Sequence, residues 1–342
     1  METPFNDLSA NQDAIRAVLQ RMALISDEQT LEVSPLTGGV SSTILKIRTA
    51  NQQFCLKQAL PTLKVAKEWH APLERVFAEI DWMKTVAAIV PQAVAHIQGV
   101  DKEALCFVMD YLPPEQYANW KSRLLAGDID VDFAASVGGV LGTIHQHTAN
   151  NPALEKQFAW DDNFFSLRLD PYLGEIARAH PRYREHVMAI LTRTQTTKRA
   201  LVHGDISPKN ILCGPDGPVI LDAECAWYGD PAFDLAFCLN HFLLKSVIAP
   251  TAAQKANLLA AFAALYQRYF QEVNWEDPNA LEARVATLLP CLLLARVDGK
   301  SPVEYLTALQ ARHVRVAACT LLENQVTRLQ AIQSFWKKEV GL

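Results

Sequence analysis

The sequence predicts an α+β fold of two lobes: a small N-terminal antiparallel sheet with a helix packed on it, then a larger, mainly helical C-terminal lobe. Three observations carry that expectation. Before Leu112, short apolar runs bounded by turn residues fall in the order three strands, one helix, two strands. From Tyr117 onward apolar residues recur at helical spacing over long segments. Between the two textures stands Leu112-Pro113-Pro114-Glu115, where paired prolines rule out continuing helix or strand. The lobes are therefore expected at residues 1–112 and 113–342.

Each element has its own signature. Ala14, Ile15, Val18, Leu19 and Met22 recur on one helix face, so an amphipathic helix opens the chain. Strands are expected at 31–36, 43–48 and 54–60. Trp69, Leu73, Val76, Phe77, Ile80 and Met83 mark one face of a long helix, and strands at 92–97 and 104–111 complete a five-stranded sheet. Further helices are expected at 133–147, 184–194, 231–244, 252–270, 281–297 and 302–335.

Bulk properties exclude several classes. With 342 residues, half of them hydrophobic, the chain is too long for one compact core and too apolar for disorder. A formal net charge of -5 and the lack of any Lys/Arg run speak against a nucleic-acid partner. The longest nearly apolar stretch, 285–295, contains Thr287 and Pro290 and is too short to span a bilayer, so no membrane role is expected. The N-terminus, Met1-Glu2-Thr3-Pro4-Phe5-Asn6-Asp7, has no basic start leading to an apolar run, unlike a secretory signal. Seven singly scattered cysteines fit the reduced core thiols of a cytoplasmic protein.

Inside the helical half lies His203-Gly204-Asp205-Ile206-Ser207-Pro208-Lys209-Asn210, followed twelve residues later by Asp222. Leu201-Val202 before it is strand-like, and Ile211-Leu212-Cys213, a Gly214-Pro215-Asp216-Gly217 turn and Val219-Ile220-Leu221 form a hairpin that returns Asp222 towards Asn210. Taken singly, such an Asp or Asn is usually a turn residue. Together, an acid, an amide and a second acid on adjoining loops have the spacing of kinase-type phosphoryl transfer. There the first Asp takes the hydroxyl proton, and the Asn and second Asp hold Mg²⁺ on the nucleotide.

The sheet lobe supplies four matching features. Gly38-Gly39 in Leu36-Thr37-Gly38-Gly39-Val40-Ser41-Ser42-Thr43 permits close backbone approach to phosphate, with Ser41 as a hydroxyl donor. Lys57 sits on an apolar strand, where an inward-facing charge needs a partner; an outward Lys on an edge strand is the alternative. Glu79 on the long helix can reach Lys57; Glu74 is the rival, and a surface Arg75–Glu79 pair the plain alternative. The strand ending Val108-Met109-Asp110-Tyr111-Leu112 would present its backbone, with Met109 and Tyr111, to a purine.

These residues resemble the aminoglycoside phosphotransferase and choline kinase superfamily, whose fold is protein-kinase-like. The likeness runs from about Leu31 to the C-terminal helices. Its specific parts are HGDISPKN and Ile220-Leu221-Asp222-Ala223-Glu224-Cys225-Ala226-Trp227-Tyr228-Gly229-Asp230-Pro231-Ala232-Phe233-Asp234-Leu235-Ala236. The resemblance implies Asp205 as catalytic base, Asn210 and Asp222 as Mg²⁺ ligands, and Lys57 on the nucleotide phosphates with Glu79 as its partner. It also implies that His203 is structural and that Asp234 braces the catalytic loop. The implied reaction moves the γ-phosphoryl of ATP, with GTP as the alternative donor, to a hydroxyl of an amino alcohol, a sugar or an aminoglycoside-like compound.

Asp222-Ala223-Glu224 departs from the common pattern of an aromatic or apolar residue and Gly after the metal Asp; it is more like choline kinase and methylthioribose kinase members. Glu224 is thus a candidate for a second metal or a substrate hydroxyl, and Trp227, Tyr228 and Arg296 for substrate contact. Aromatics with acids would suit an amine or sugar; Arg296 and Lys300 would suit a carboxylate or phosphate. Two other classes stand beside the kinase reading. A catalytically silent nucleotide-binding module would be expected to lack one of Lys57, Asp205, Asn210 and Asp222. A protein kinase is disfavoured by the lack of HRD, DFG and an activation segment between Asp222 and Asp230-Pro231.

Overall fold

The computed structural model describes residues 7–26, 29–36, 41–61 and 72–342. Five strands, β1 (Glu32–Pro35), β2 (Ser42–Arg48), β3 (Gln53–Ala59), β4 (Ile97–Asp101) and β5 (Cys106–Asp110), form an antiparallel sheet of order β1-β2-β3-β5-β4. Strand alternation decides what each face carries. Leu45, Ile47, Phe54, Leu56, Cys106 and Val108 turn to one side, where they bury Ile15, Val18 and Leu19 of helix α1 (Gln12–Arg21). Asn11 caps that helix by accepting the Ala14 N–H at 2.9 Å. The opposite face carries Cys55, Lys57, Ala59 and Phe107, so Lys57 points towards helix α2 (Arg75–Ala87) because its neighbours Phe54 and Leu56 point away.

The second core is continuous from α2 into the helical lobe. Val76, Ile80, Met83 and Val86 cluster with Leu201, Val202, Ile211 and Ile220 of the central hairpin. Helices α3 (Val131–Thr148), α4 (Ala232–Ile248), α5 (Ala252–Phe270), α6 (Pro278–Asp298) and α7 (Ala308–Glu323) complete it. α3 and α5 approach so closely that a Cβ on Gly138 would lie 2.1 Å from the Leu265 carbonyl oxygen. Among the described residues no helix is long and apolar enough to cross a membrane.

Besides the short helices Trp120–Leu125 and Pro152–Gln157, which were not expected, three elements differ from expectation. The strand expected at 92–97 is a 3-10 turn, Pro91–Ala93, and an extended link; pairing begins only at Ile97, with a bulge before Gly99. Ala93, Val94 and Ala95 are instead drawn into the core beneath α2. The helix expected at 302–335 is two, α7 and Leu329–Glu339. Its start waits for a Thr307/Gln310 capping box, and its continuity breaks after Asn324, where Gln325 takes φ +47°. Between α3 and the hairpin, an unexpected helical segment runs through a wide, π-helical stretch, Phe165–Gly174, around Pro171.

Candidate active site

Strand Ala200–Val202 pairs with Trp227–Gly229 and delivers the chain to His203. The loop turns through a 3-10 turn, Pro208–Asn210, into the hairpin of Ile211–Gly214 and Gly217–Ile220. Asp234, in the first turn of α4 and fully buried, accepts the N–H groups of His203 (2.7 Å) and Gly204 (2.8 Å). Two N–H groups donated to one carboxylate hold the loop in place without any ligand. His203 accepts the Asp205 N–H at Nδ1 (3.1 Å), so its proton sits on Nε2, which donates to the Leu221 carbonyl at 3.1 Å. The Trp82 ring lies edge-on to it at 4.8 Å.

Gly204 stands at φ +81°, and a Cβ there would meet the Cys225 carbonyl oxygen at 2.6 Å. Gly204→Ala is therefore expected to cost about 2 kcal/mol or more and to lower activity with it. A urea melt superimposable on the parent's would contradict this placement. Burial outweighs the neighbouring carboxylates and depresses the pKa of His203; burial and nearby cations depress that of His241. The unfolded imidazoles therefore take up protons first. Stability is full above the unfolded value, ~6.5, and lost as pH falls from there through the folded values. The melting temperature should accordingly drop from about pH 7.5 to about pH 5.5; a flat profile would overturn the neutral-imidazole assignment.

Asp205 is buried, and its Oδ2 receives three groups: Arg168 Nη2 (2.9 Å), Lys209 Nζ (3.0 Å) and Asn210 Nδ2 (2.9 Å). All three fall on Oδ2, which leaves Oδ1 for a further hydrogen bond. Burial opposes ionisation of Asp205, but the Arg168 and Lys209 charges outweigh it and hold the carboxyl below its usual value. Arg168 comes from the π-helical stretch, 37 residues upstream. Its Nε also donates to the Gly204 carbonyl at 2.6 Å. Neither Arg168 nor Lys209 was anticipated from the sequence. Lys209 stood inside the motif as a visible signal; Arg168 had none.

Asn210 O accepts the Leu221 N–H at 2.8 Å, which brings Asn210 beside Asp222. Asp222 has φ +69°, a strained backbone for a residue with a Cβ. Its Oδ1 meets Lys57 Nζ at 2.5 Å, and the same ammonium meets Glu79 Oε1 at 2.7 Å. Glu74 is exposed at the start of α2, so the partner of Lys57 is Glu79. Burial works against the Lys57 charge, but Asp222 and Glu79 outweigh it and hold the ammonium above its usual pKa. Burial likewise opposes the Asp222 charge, yet Lys57 and Lys209 hold that carboxyl well below its usual range. For Glu79, burial pushes the carboxyl upward and Lys57 offsets part of the push.

These groups line one end of a cavity of about 430 Å³ between the lobes. Its other end is apolar, with Leu36, Ile44, Met83, Met109, Leu112 and Leu212. Tyr111 and Ser41 also line it, whereas Gly38 and Gly39 lie outside the described residues. An apolar slot ending in a few fixed polar groups suits a planar base attached to phosphates. A larger groove of about 770 Å³ along Glu32, Arg48 and Asn51 holds none of the acids above.

The alternative, a surface Arg75–Glu79 pair, gives way to Lys57–Glu79 and Arg75–Glu224. Arg75 is buried and donates to Glu224 Oε2 (2.9 Å) and to the carbonyls of Ser41 (2.6 Å) and Leu60 (2.8 Å). It therefore ties both strand ends at the cavity mouth to the Asp-x-Glu segment. Glu224 is buried with an oxygen committed to Arg75, not a surface acid. Two aromatic candidates are corrected. Trp227 is fully buried and stacks on Phe164 at 4.1 Å, and the Tyr228 hydroxyl is bound by the backbone of Thr148, Asn151 and Arg199. Both sit on an interior strand, so packing claims their rings. Arg296 does not line the cavity; it donates to Ser301 O (2.6 Å) and the Tyr172 hydroxyl (3.3 Å).

The donors fit a hard divalent cation. Asn210 spends its Nδ2 on Asp205, which turns its Oδ1 the other way, and Asp222 adds a carboxylate at the same cavity wall. Mg²⁺ is held by such a sparse oxygen set when substrate phosphates complete it.

The sequence model of the phosphotransferase enzyme family matches residues 32–277. A methylthioribose kinase from Pectobacterium atrosepticum is 25% identical over 309 residues, covering 77% of this chain and 76% of its own. Among solved structures, the Plasmodium vivax ethanolamine kinase has a TM-score of 0.56 at 13% identity, covering 93% of this chain and 91% of its own. A choline kinase from Cryptosporidium parvum has a TM-score of 0.55 at 11% identity, covering 96% and 99%. These structures share the two-lobed, protein-kinase-like fold.

Proposed function

Since the chain belongs to the phosphotransferase enzyme family and is a small-molecule kinase, we propose that it transfers the γ-phosphoryl of ATP to a metabolite hydroxyl with Mg²⁺. The observation that carries this reading is Lys57 bridging Glu79 and Asp222 at the polar end of the cavity, next to Asn210. The bond between the γ-phosphorus and the β-bridging oxygen breaks, a bond from the acceptor oxygen forms, and ADP leaves. Asp205 orients the hydroxyl through Oδ1 and takes its proton late, as the new bond forms. A carboxylate held ionised by two cations is a weak base, so its work is chiefly orientation. Lys57 offsets charge gathering on the transferred group, and Glu79 keeps it aimed at the site. Asn210 and Asp222 would hold Mg²⁺, which supplies charge neutralisation on the phosphates.

The methylthioribose kinases similar to this chain favour a sugar hydroxyl as acceptor. Free, mostly buried cysteines fit a reducing cytoplasm, where ATP is available. The metal assignment is tested by stripping divalent ions with EDTA. Transfer should stop and ATP affinity fall, and added Mg²⁺ should restore both. Undiminished turnover in EDTA would overturn it. ATP against GTP competition in the same assay identifies the donor.

A further inference from the structure

One face of α4 carries Phe237, His241 and Lys245 at spacings of four residues. Phe237 lies 6.0 Å below the Arg168 guanidinium that holds Asp205, so this face leads away from the reacting end. Lys245 is 2% exposed, and among the described residues no carboxylate lies within ion-pair distance of its ammonium. The ammonium faces the Tyr305 ring at 5.2 Å, a weaker partner than an anion. Burial, then Lys121 and Arg296, push its pKa down to about 7. Glu304, a carboxylate that acts on Lys245 from a distance, is already tied to Lys121.

The surroundings repeat the pattern. His241 Nδ1, Arg296 Nε and Tyr305 Oη are all buried without a hydrogen-bond partner. Lys209, which salt-bridges Asp205, is among the cations acting on His241, and Arg296 reaches the Tyr172 hydroxyl beside Arg168. Buried cations and orphaned donors are costly unless something fills the gap. We propose that His241, Lys245, Arg296 and Tyr305 form the distal end of the acceptor site and bind an anionic oxygen group, so that the hydroxyl substrate is a small acid, a carboxylate or a phosphomonoester. This rests on the kinase reading above and names its substrate class.

The test has two readouts. The first is ADP formation with matched acceptor pools: hydroxycarboxylic acids, sugar phosphates, neutral sugars and amino alcohols. An acid pool should exceed the neutral and cationic pools at least tenfold, and the two acid pools distinguish carboxylate from phosphate. On the acid acceptor, Lys245→Met should raise KM about tenfold or more with a much smaller change in kcat. The second is thermal stability: removing a buried, unmatched charge should raise the melting temperature of Lys245→Met. The inference is overturned by turnover confined to neutral or cationic pools, by an unchanged KM, or by a lower melting temperature. No acid turnover from an enzyme that still binds Mg²⁺-ATP and slowly hydrolyses it in an Asp205-dependent way would also overturn it. Loss of that binding and hydrolysis in the parent would strike the kinase reading instead.

Discussion

Asp205→Asn should lower turnover by about a hundredfold or more, about 3 kcal/mol of transition-state stabilisation. An amide can still hydrogen-bond the acceptor hydroxyl but cannot receive its proton. It also leaves Arg168 and Lys209 facing a neutral group in place of the charge that both now share. The loss should appear in kcat at saturating substrates, with ATP affinity changed only a few-fold, because Asp205 does not line the cavity proposed for the nucleotide. Thermal melts and the Asp234 brace on the loop backbone provide the control for folding. Full turnover in a folded Asp205→Asn protein would remove this residue from the chemistry.

Asp222→Ala should weaken Mg²⁺-ATP binding as well as slow transfer, together by about a hundredfold to a thousandfold in kcat/KM. The carboxylate has two parts in this reading: it anchors Lys57 at 2.5 Å, and beside Asn210 it is the proposed cation ligand. Its removal leaves the ammonium to Glu79 alone, so the lysine is free to swing away from the phosphates. A second substitution separates function from strain. Asp222 adopts φ +69°, which glycine accepts without penalty. Asp222→Gly should therefore be as inactive as Asp222→Ala yet more stable than it, by about 1 kcal/mol. Metal-dependent nucleotide binding that survives either change would count against the ligand role, and equal stability of the two would count against the strain.

The part of the site that was legible in the sequence is the part whose geometry is local. His203, Asp205, Asn210 and Asp222 lie within 20 residues, joined by a tight hairpin whose turn residues announce it. Lys57 itself was visible on its strand, but whether it faced inward or outward was open until the packed sheet put Phe54 and Leu56 on the other face and Glu79 against the ammonium. The choice of Glu79 over Glu74 needed the helix phase that only the packed structure supplies. Arg168 and Arg75 were not legible, since their partners Asp205 and Glu224 lie far away in sequence and no periodicity links them. Trp227 and Tyr228 were misjudged for the opposite reason. Their proximity to the motif in sequence resembled proximity to the substrate, whereas the strand turns both into the core. The continuous helix expected at 302–335 failed because apolar spacing persists across Asn324–Gln325, while the backbone there turns left-handed.

The most direct test of the account follows the phosphoryl group itself, from γ-labelled ATP to pooled acids, sugars and amino alcohols, in the parent and in Asp205→Asn. Labelled product should form that requires Mg²⁺ and falls about a hundredfold in the variant, with ADP formed in equal amount. Labelled product made equally well by both proteins would contradict it. So would tight Mg²⁺-ATP binding by the parent with no labelled product from any pool.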